Sequence, residues 1–138
     1  MEERERFDNV WALVIEDDAH SLIAIGKLLR EHGISFKRNT TGAQVVRQIT
    51  EMQPRPDFIL LDLDLPQGDP LQICSAIQRS PSLSSLPIIA IGDFQVEMLS
   101  KLRRCGFASF LPKPLPRKQF AEYLGRILAG EQVWEVGV

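Results

Sequence analysis

The stretch that decides the fold is Phe58-Ile59-Leu60-Leu61-Asp62-Leu63-Asp64-Leu65-Pro66, an apolar run of strand length that stops abruptly on a carboxylate. Upstream, Ala12-Leu13-Val14-Ile15 runs in the same way into Glu16-Asp17-Asp18. Downstream, Phe107-Ala108-Ser109-Phe110-Leu111 runs towards Lys113-Pro114. The runs are continuously apolar rather than alternating, which is the pattern of strands covered on both faces. Each delivers charge to its C-terminal end, the edge of a parallel α/β sheet at which ligands bind.

Working outward, strand-like and helix-like segments alternate along the whole chain. Strands are expected at 10–16, 34–38, 58–61, 87–91 and 107–111. Helices are expected at 19–32, 42–52, from 70 onward, 95–104 and 117–128. The first carries Leu22, Ile25 and Leu29 on one stripe and ends at Gly33, a C-cap signal. The second turns Val45, Ile49 and Met52 inward, and Pro54 and Pro56 break the chain after it. Pro70 suits a first helical turn, with Leu71, Cys74 and Ile77 behind it. The last helix carries Phe120, Leu124 and Ile127, and residues 80–85 read as a polar loop. The pattern predicts an α/β, flavodoxin-like doubly wound fold, with a five-stranded parallel sheet of order 2-1-3-4-5 and five helices joined by right-handed crossovers. In that order strands 1 and 3 are neighbours, so Glu16, Asp17 and Asp62 come together.

The chain has 138 residues, which suits one domain. Residues 1–9 read as a charged N-terminal extension and 10–130 as the domain. Residues 131–138 form a rather apolar tail expected to pack on the domain or on a partner. A net charge of -2 lacks the basic surplus of a nucleic-acid footprint. Lys101, Arg103, Arg104, Arg117 and Lys118 read as solvated helix faces. No apolar stretch approaches the roughly 20 residues of a membrane span, and the charged start lacks a signal peptide's apolar segment. Cys74 and Cys105 form no motif and read as small core residues, in keeping with a reducing, cytoplasmic setting. His20 and His32 read as helix-surface residues, and Trp11 and Trp134 as packing residues.

Clustered carboxylates repel, and each has its pKa raised unless a cation is present. Mg²⁺ suits one or two carboxylates together with phosphate oxygens. A carboxylate in such a site can attack a phosphoryl group and form an aspartyl phosphate, and a lysine ammonium neutralises the incoming charge. Each residue has a plainer reading too. The Glu16-Asp17-Asp18 cluster could be an N-cap, Lys113 a surface lysine and Asp62 a turn residue. Their joint placement at the ends of strands 1, 3 and 5 favours the functional reading.

These motifs, with Leu86-Pro87-Ile88-Ile89-Ala90-Ile91 and Gly106-Phe107-Ala108-Ser109-Phe110-Leu111-Pro112-Lys113-Pro114, make the chain resemble a response-regulator receiver domain of two-component signalling from about Val10 to Leu128. The resemblance implies that Asp62 accepts a phosphoryl group from the phosphohistidine of a partner, a sensor histidine kinase or a phosphotransfer protein. It implies that Glu16, Asp17, Asp62 and the main-chain carbonyl of Asp64 hold Mg²⁺, that Lys113 contacts the phosphoryl group, and that the Lys113–Pro114 bond is cis. The leading expectation is a stand-alone signalling domain that is not an enzyme beyond its own phosphorylation and dephosphorylation. Such a domain acts on an unidentified output protein through the fourth helix, fifth strand and fifth helix; a homodimer stays open.

Two switch positions depart from the family. Gly92 stands where a Thr or Ser hydroxyl is usual, and Phe110 keeps the aromatic ring of its position without a hydroxyl. Asp69-Pro70 also replaces an acidic residue followed by Gly. The alternative is therefore a degenerate receiver working as a phosphorylation-independent interaction module. A third reading takes Asp62-Leu63-Asp64 as the nucleophile pair of a haloacid-dehalogenase-type phosphatase. It fails on order, since the acidic cluster lies upstream and there is no cap segment.

Overall fold

The computed structural model describes residues 6–93 and 95–134. Five strands, β1 (Trp11–Ile15), β2 (Ser35–Asn39), β3 (Phe58–Asp62), β4 (Ile88–Gly92) and β5 (Ser109–Pro112), form one sheet of order β2-β1-β3-β4-β5. Every pairing is parallel. Helices α1 (Ala19–Glu31), α2 (Val45–Glu51), α3 (Pro70–Arg79), α4 (Val96–Cys105) and α5 (Phe120–Leu128) fill the crossovers. Fold class, strand order and helix number are those read from the apolar pattern.

The central strands explain why the sheet closes between two helical layers. Residues 12–15, 58–61 and 88–91 are wholly inaccessible to solvent. Each such Leu, Ile, Val or Phe contributes roughly 1.5–3 kcal/mol on burial. On one face α1 meets α5, where the His32 and Phe120 rings lie 5.7 Å apart and Arg117 pairs with Glu31 at 2.8 Å. On the other, α3 contacts both α2 and α4. Gly33 closes α1 as expected: its N–H donates to the Arg30 carbonyl and that of Ile34 to Leu29, a pairing that requires the glycine's φ of 78°.

Element ends depart from the sequence reading where side chains intervene. Helix α2 begins at Val45 rather than 42, because Asn39 ties Thr41 and Gly42 into a turn and Gln44 is left-handed at φ 56°. Helix α5 begins at Phe120 rather than 117, after a turn. Strand β5 begins at Ser109 rather than 107, since the Phe107 N–H is spent on capping α4 through Leu102. Residues 81–83 of the expected polar loop form a 3-10 turn that buries Leu83. His32 is not a plain surface residue; it is half-buried between Phe7 and Phe120.

The tail packs on the domain as far as it is described. Val133 is 1% exposed, bridges to Ser109, and donates its N–H to the Ala108 carbonyl at 3.0 Å. Trp134 lies 5.1 Å from the Arg103 guanidinium. Residues 1–5 of the charged extension and 135–138 of the tail lie outside the described residues. No helix among the described residues is long and apolar enough to cross a membrane.

Candidate functional site

The carboxyl edge of the sheet is held by three backbone hydrogen bonds, one beside each charged side chain. Glu16 follows β1 and donates its N–H to the Asn39 carbonyl at 3.0 Å. Asp62 ends β3, and the next N–H, of Leu63, donates to the Ile91 carbonyl at 2.9 Å. Lys113 follows β5 and donates its N–H to the Gly92 carbonyl at 3.0 Å. Side chains that are far apart in sequence are thereby fixed on a rigid rim.

On that rim the Lys113 ammonium donates to Glu16 Oε1 and lies 3.3 Å from Asp62 Oδ2. The other Asp62 oxygen, Oδ1, accepts the Asp64 N–H at 3.0 Å. Glu16 is fully buried and Asp62 is 2% exposed, whereas Asp17 is open to solvent. One carboxylate oxygen from each of Glu16, Asp17 and Asp62 lies within 4.8 Å of the others. Glu16 Oε2 is buried and has no hydrogen-bond partner. A buried acceptor left unsatisfied beside an all-oxygen donor set fits a hard divalent cation.

The electrostatics follow from burial. Desolvation pushes the Glu16 carboxyl up to about 7, reinforced by the neighbouring Asp62 and opposed by Lys113. Burial acts to lower the Lys113 ammonium, but its bond to Glu16 and the charges of Asp62 and Glu16 outweigh it and hold the lysine above its ordinary value. The ammonium therefore stays charged.

The acidic triplet divides by residue. Asp18 takes the plain reading: it is the N-cap of α1, accepting the Ser21 N–H at 2.9 Å, and that bond lowers its pKa. Glu16 and Asp17 turn into the cluster instead. Asp64 contributes no carboxylate to it and touches it through its main chain. Asp69 has a local role, capping α3 through the Leu71 N–H at 3.0 Å with Pro70 at the first helical position.

The switch positions lie one strand further on. Gly92 ends β4 at φ 159°, and among the described residues a Cβ built there would meet only Leu63 Cβ, at 3.6 Å. The rim thus lacks a side chain at this position. Phe110 is 2% exposed, its ring already inside the domain.

One residue of this region escaped the sequence reading. Asn39 ends β2, is 9% exposed, and uses its whole side-chain amide on the loop after it and on Gln48 of α2. The signal was present as Asn followed by Thr-Thr-Gly, a turn-forming pattern at a strand end.

Residues 12–125 match the family model of the response regulator receiver domain. The chain belongs to that family, the signalling domain of two-component systems. It is similar to the polar-differentiation response regulator DivK of Brucella anthropi, 25% identical over 82% of this chain and 94% of the relative. It also matches a segment of the signal transduction histidine-protein kinase BarA of Escherichia coli, 25% identical over 88% of this chain and 13% of the kinase. Among solved structures, the fold is shared with the co-crystal of the Saccharomyces cerevisiae phosphotransfer protein Ypd1 and the receiver domain of its downstream regulator Ssk1. There the TM-score is 0.78 at 20% identity, over 96% of this chain and 97% of the other.

Proposed function

We propose that this receiver domain takes a phosphoryl group onto Asp62 from the phosphohistidine of a histidine kinase or phosphotransfer protein. In the transfer the histidine N–P bond breaks, a bond forms from an Asp62 carboxylate oxygen to phosphorus, and the imidazole leaves with its electron pair and is protonated by solvent. The observation that carries the reading is the setting of Asp62. Its two oxygens lie between a backbone N–H and the Lys113 ammonium, in a site walled by buried Glu16. Lys113 has only to move from Glu16 towards the new phosphoryl oxygens to neutralise them.

Glu16, Asp17, Asp62 and the Asp64 carbonyl are the groups that would hold Mg²⁺. Bound there, the ion offsets carboxylate repulsion and the charge of the transferred group. The partner class is supported by two relatives: BarA is itself a histidine kinase, and Ypd1 is a phosphotransfer protein crystallised with a receiver. On this chain, exposed Ile23 at 68% on α1 gives such a partner an apolar contact beside the rim. Free Cys74 and Cys105 go with a reducing cytoplasm.

A second reading, an interaction module indifferent to phosphorylation, is favoured by the missing hydroxyl at Gly92 and the buried ring of Phe110. One experiment separates the two. Incubation with Mg²⁺ and a small phosphodonor should add one acid-stable, base-labile phosphoryl group, and Asp62→Asn should abolish it with the fold intact. Unlabelled natural protein would favour the module; undiminished labelling of the variant would reject Asp62 as acceptor.

A further inference from the structure

We propose that Asn39 is a positioning residue for the acidic site, setting the place of Glu16 and of the loop that carries Asp64; this rests on the phosphoacceptor reading above. Asn39 is nearly buried, yet no hydrogen-bonding group of its side chain is wasted. Its Oδ1 accepts the N–H groups of Thr41 at 3.1 Å and Gly42 at 2.7 Å. Its Nδ2 donates to the Ala43 carbonyl and to Gln48 Oε1, both at 2.9 Å. Gln48 in turn donates to the Arg38 carbonyl at 3.0 Å. The amide thus ties the end of β2, the loop after it and the first turns of α2 into one closed network.

That network reaches the site by two routes. The first is the main chain of Asn39 itself, whose carbonyl accepts the Glu16 N–H. Glu16 lies beyond the last residue of β1, so this bond, together with the strand, fixes where its buried carboxylate stands. The second runs through Gly42. A Cβ at Gly42 would lie 3.2 Å from both Leu65 Cδ1 and Ile73 Cδ1, and its φ of 83° suits glycine. A Cβ at Gly68 would lie 3.6 Å from the Thr41 carbonyl. The loop shaped by Asn39 is therefore packed against the β3–α3 loop at Leu65 and Gly68. Leu65 is 8% exposed and directly follows Asp64, whose N–H holds Asp62 Oδ1.

A purely structural role would make Asn39 matter for stability alone. A positioning role makes it matter for cation affinity in protein that is fully folded. Groups that orient ligands without touching the metal typically change affinity about 10–100-fold when removed. Asn39→Ala leaves the Thr41 and Gly42 N–H groups without their acceptor and frees the loop behind Leu65. Asn39→Asp keeps the Oδ1 acceptor for both and loses the donor.

The test is Mg²⁺ titration followed by amide signals, well below the unfolding temperature, on natural protein, Asn39→Ala, Asn39→Asp and a distant core control, Ile127→Val in α5. The expected result is Mg²⁺ affinity about tenfold weaker in Asn39→Ala, partly restored in Asn39→Asp, and unchanged in Ile127→Val. The metal-free spectra of Asn39→Ala should also show displaced Glu16, Asp64 and Leu65 amides. Natural affinity in Asn39→Ala, or equal weakening in Ile127→Val, would overturn the positioning role while leaving the phosphoacceptor reading standing. Failure of the natural protein to bind Mg²⁺ would instead reject that reading and this inference with it.

Discussion

The acidic end of the sheet and the β4–β5 side behind it have been treated differently in this chain. At the first, the charged groups lie together on the rim: Asp62 between the Asp64 N–H and Lys113, Glu16 buried beside them, Asp17 open to solvent. At the second, Gly92 beside Asp62 has no side chain, and the aromatic ring two residues along β5 from the Gly92-paired Pro112 is already inside. Chemistry at a rim depends on a few fixed groups. A relay depends on contacts that differ between two states, and a ligand shifts an equilibrium only by that difference. The two can therefore part company within one small domain.

The largest effect expected at the acidic end comes from Lys113→Met. It removes the ammonium that lies against Asp62, and loss of a comparable preorganised donor costs about a hundredfold in rate. Phosphorylation by a small donor should slow by about that factor, read as the initial rate of mass increase. An unchanged rate would mean that the lysine serves only to neutralise Glu16.

Asp17→Asn comes next. Asp17 is the exposed member of the carboxylate trio, so its loss should leave the fold alone while weakening Mg²⁺ at least about tenfold and slowing phosphorylation in parallel. Cation titration that leaves the amide signals of Asp17 and Asp62 unmoved in the natural protein would hand the case to the interaction-module reading.

On the relay side, Gly92→Thr should restore a missing contact. A hydrogen bond to a charged group is worth about 1.5–3 kcal/mol, enough to shift a two-state population about tenfold or more. Among the described residues a Cβ there meets Leu63 Cβ at 3.6 Å, an ordinary contact, while the backbone φ of 159° is one that side chains rarely adopt and has to relax to take the threonine. Phosphorylated Gly92→Thr should show larger amide changes around Phe110 than the phosphorylated natural protein; equal changes would show that the hydroxyl is not what the relay lacks.

The smallest effect is on stability. Glu16 has its carboxyl raised by burial from an ordinary 4.5 to about 7, so folding favours its protonated form. Its stabilising contribution is fully present below pH 4.5 and is lost as pH rises through about 7. Without Mg²⁺, Tm should fall across that window, and Glu16→Gln should flatten the slope. A slope identical in the variant would assign the pH dependence elsewhere.

How much of this was legible in the sequence follows from the same contrast. Asp62, Glu16 and Lys113 could be read because apolar runs of strand length end on them, and parallel topology then brings the ends together. Asn39 could not be weighed, because its importance comes from β2 lying beside β1 and from a loop packing on Leu65, neither of which is a local pattern. The start of α2 was misjudged for the same reason: Gly42 and Gln44 sit within helix-like spacing, but the Asn39 amide draws the preceding turn out of the helix. The fate of the tail was likewise settled by the open edge of β5, which Val133 covers. That Gly92 lacks a hydroxyl was plain from the letter, whereas the inward ring of Phe110 is a matter of packing.

The most direct test of a competent acceptor beside a weakened relay is to add beryllofluoride, a phosphoryl mimic, with Mg²⁺ and to follow the amide signals of the whole domain. The expected result is strong displacement at Asp62, Asp64, Leu65 and Lys113, with only weak displacement around Phe110. Full-scale displacement at Phe110 would contradict the weakened relay, and no displacement at Asp62 would contradict the competent acceptor.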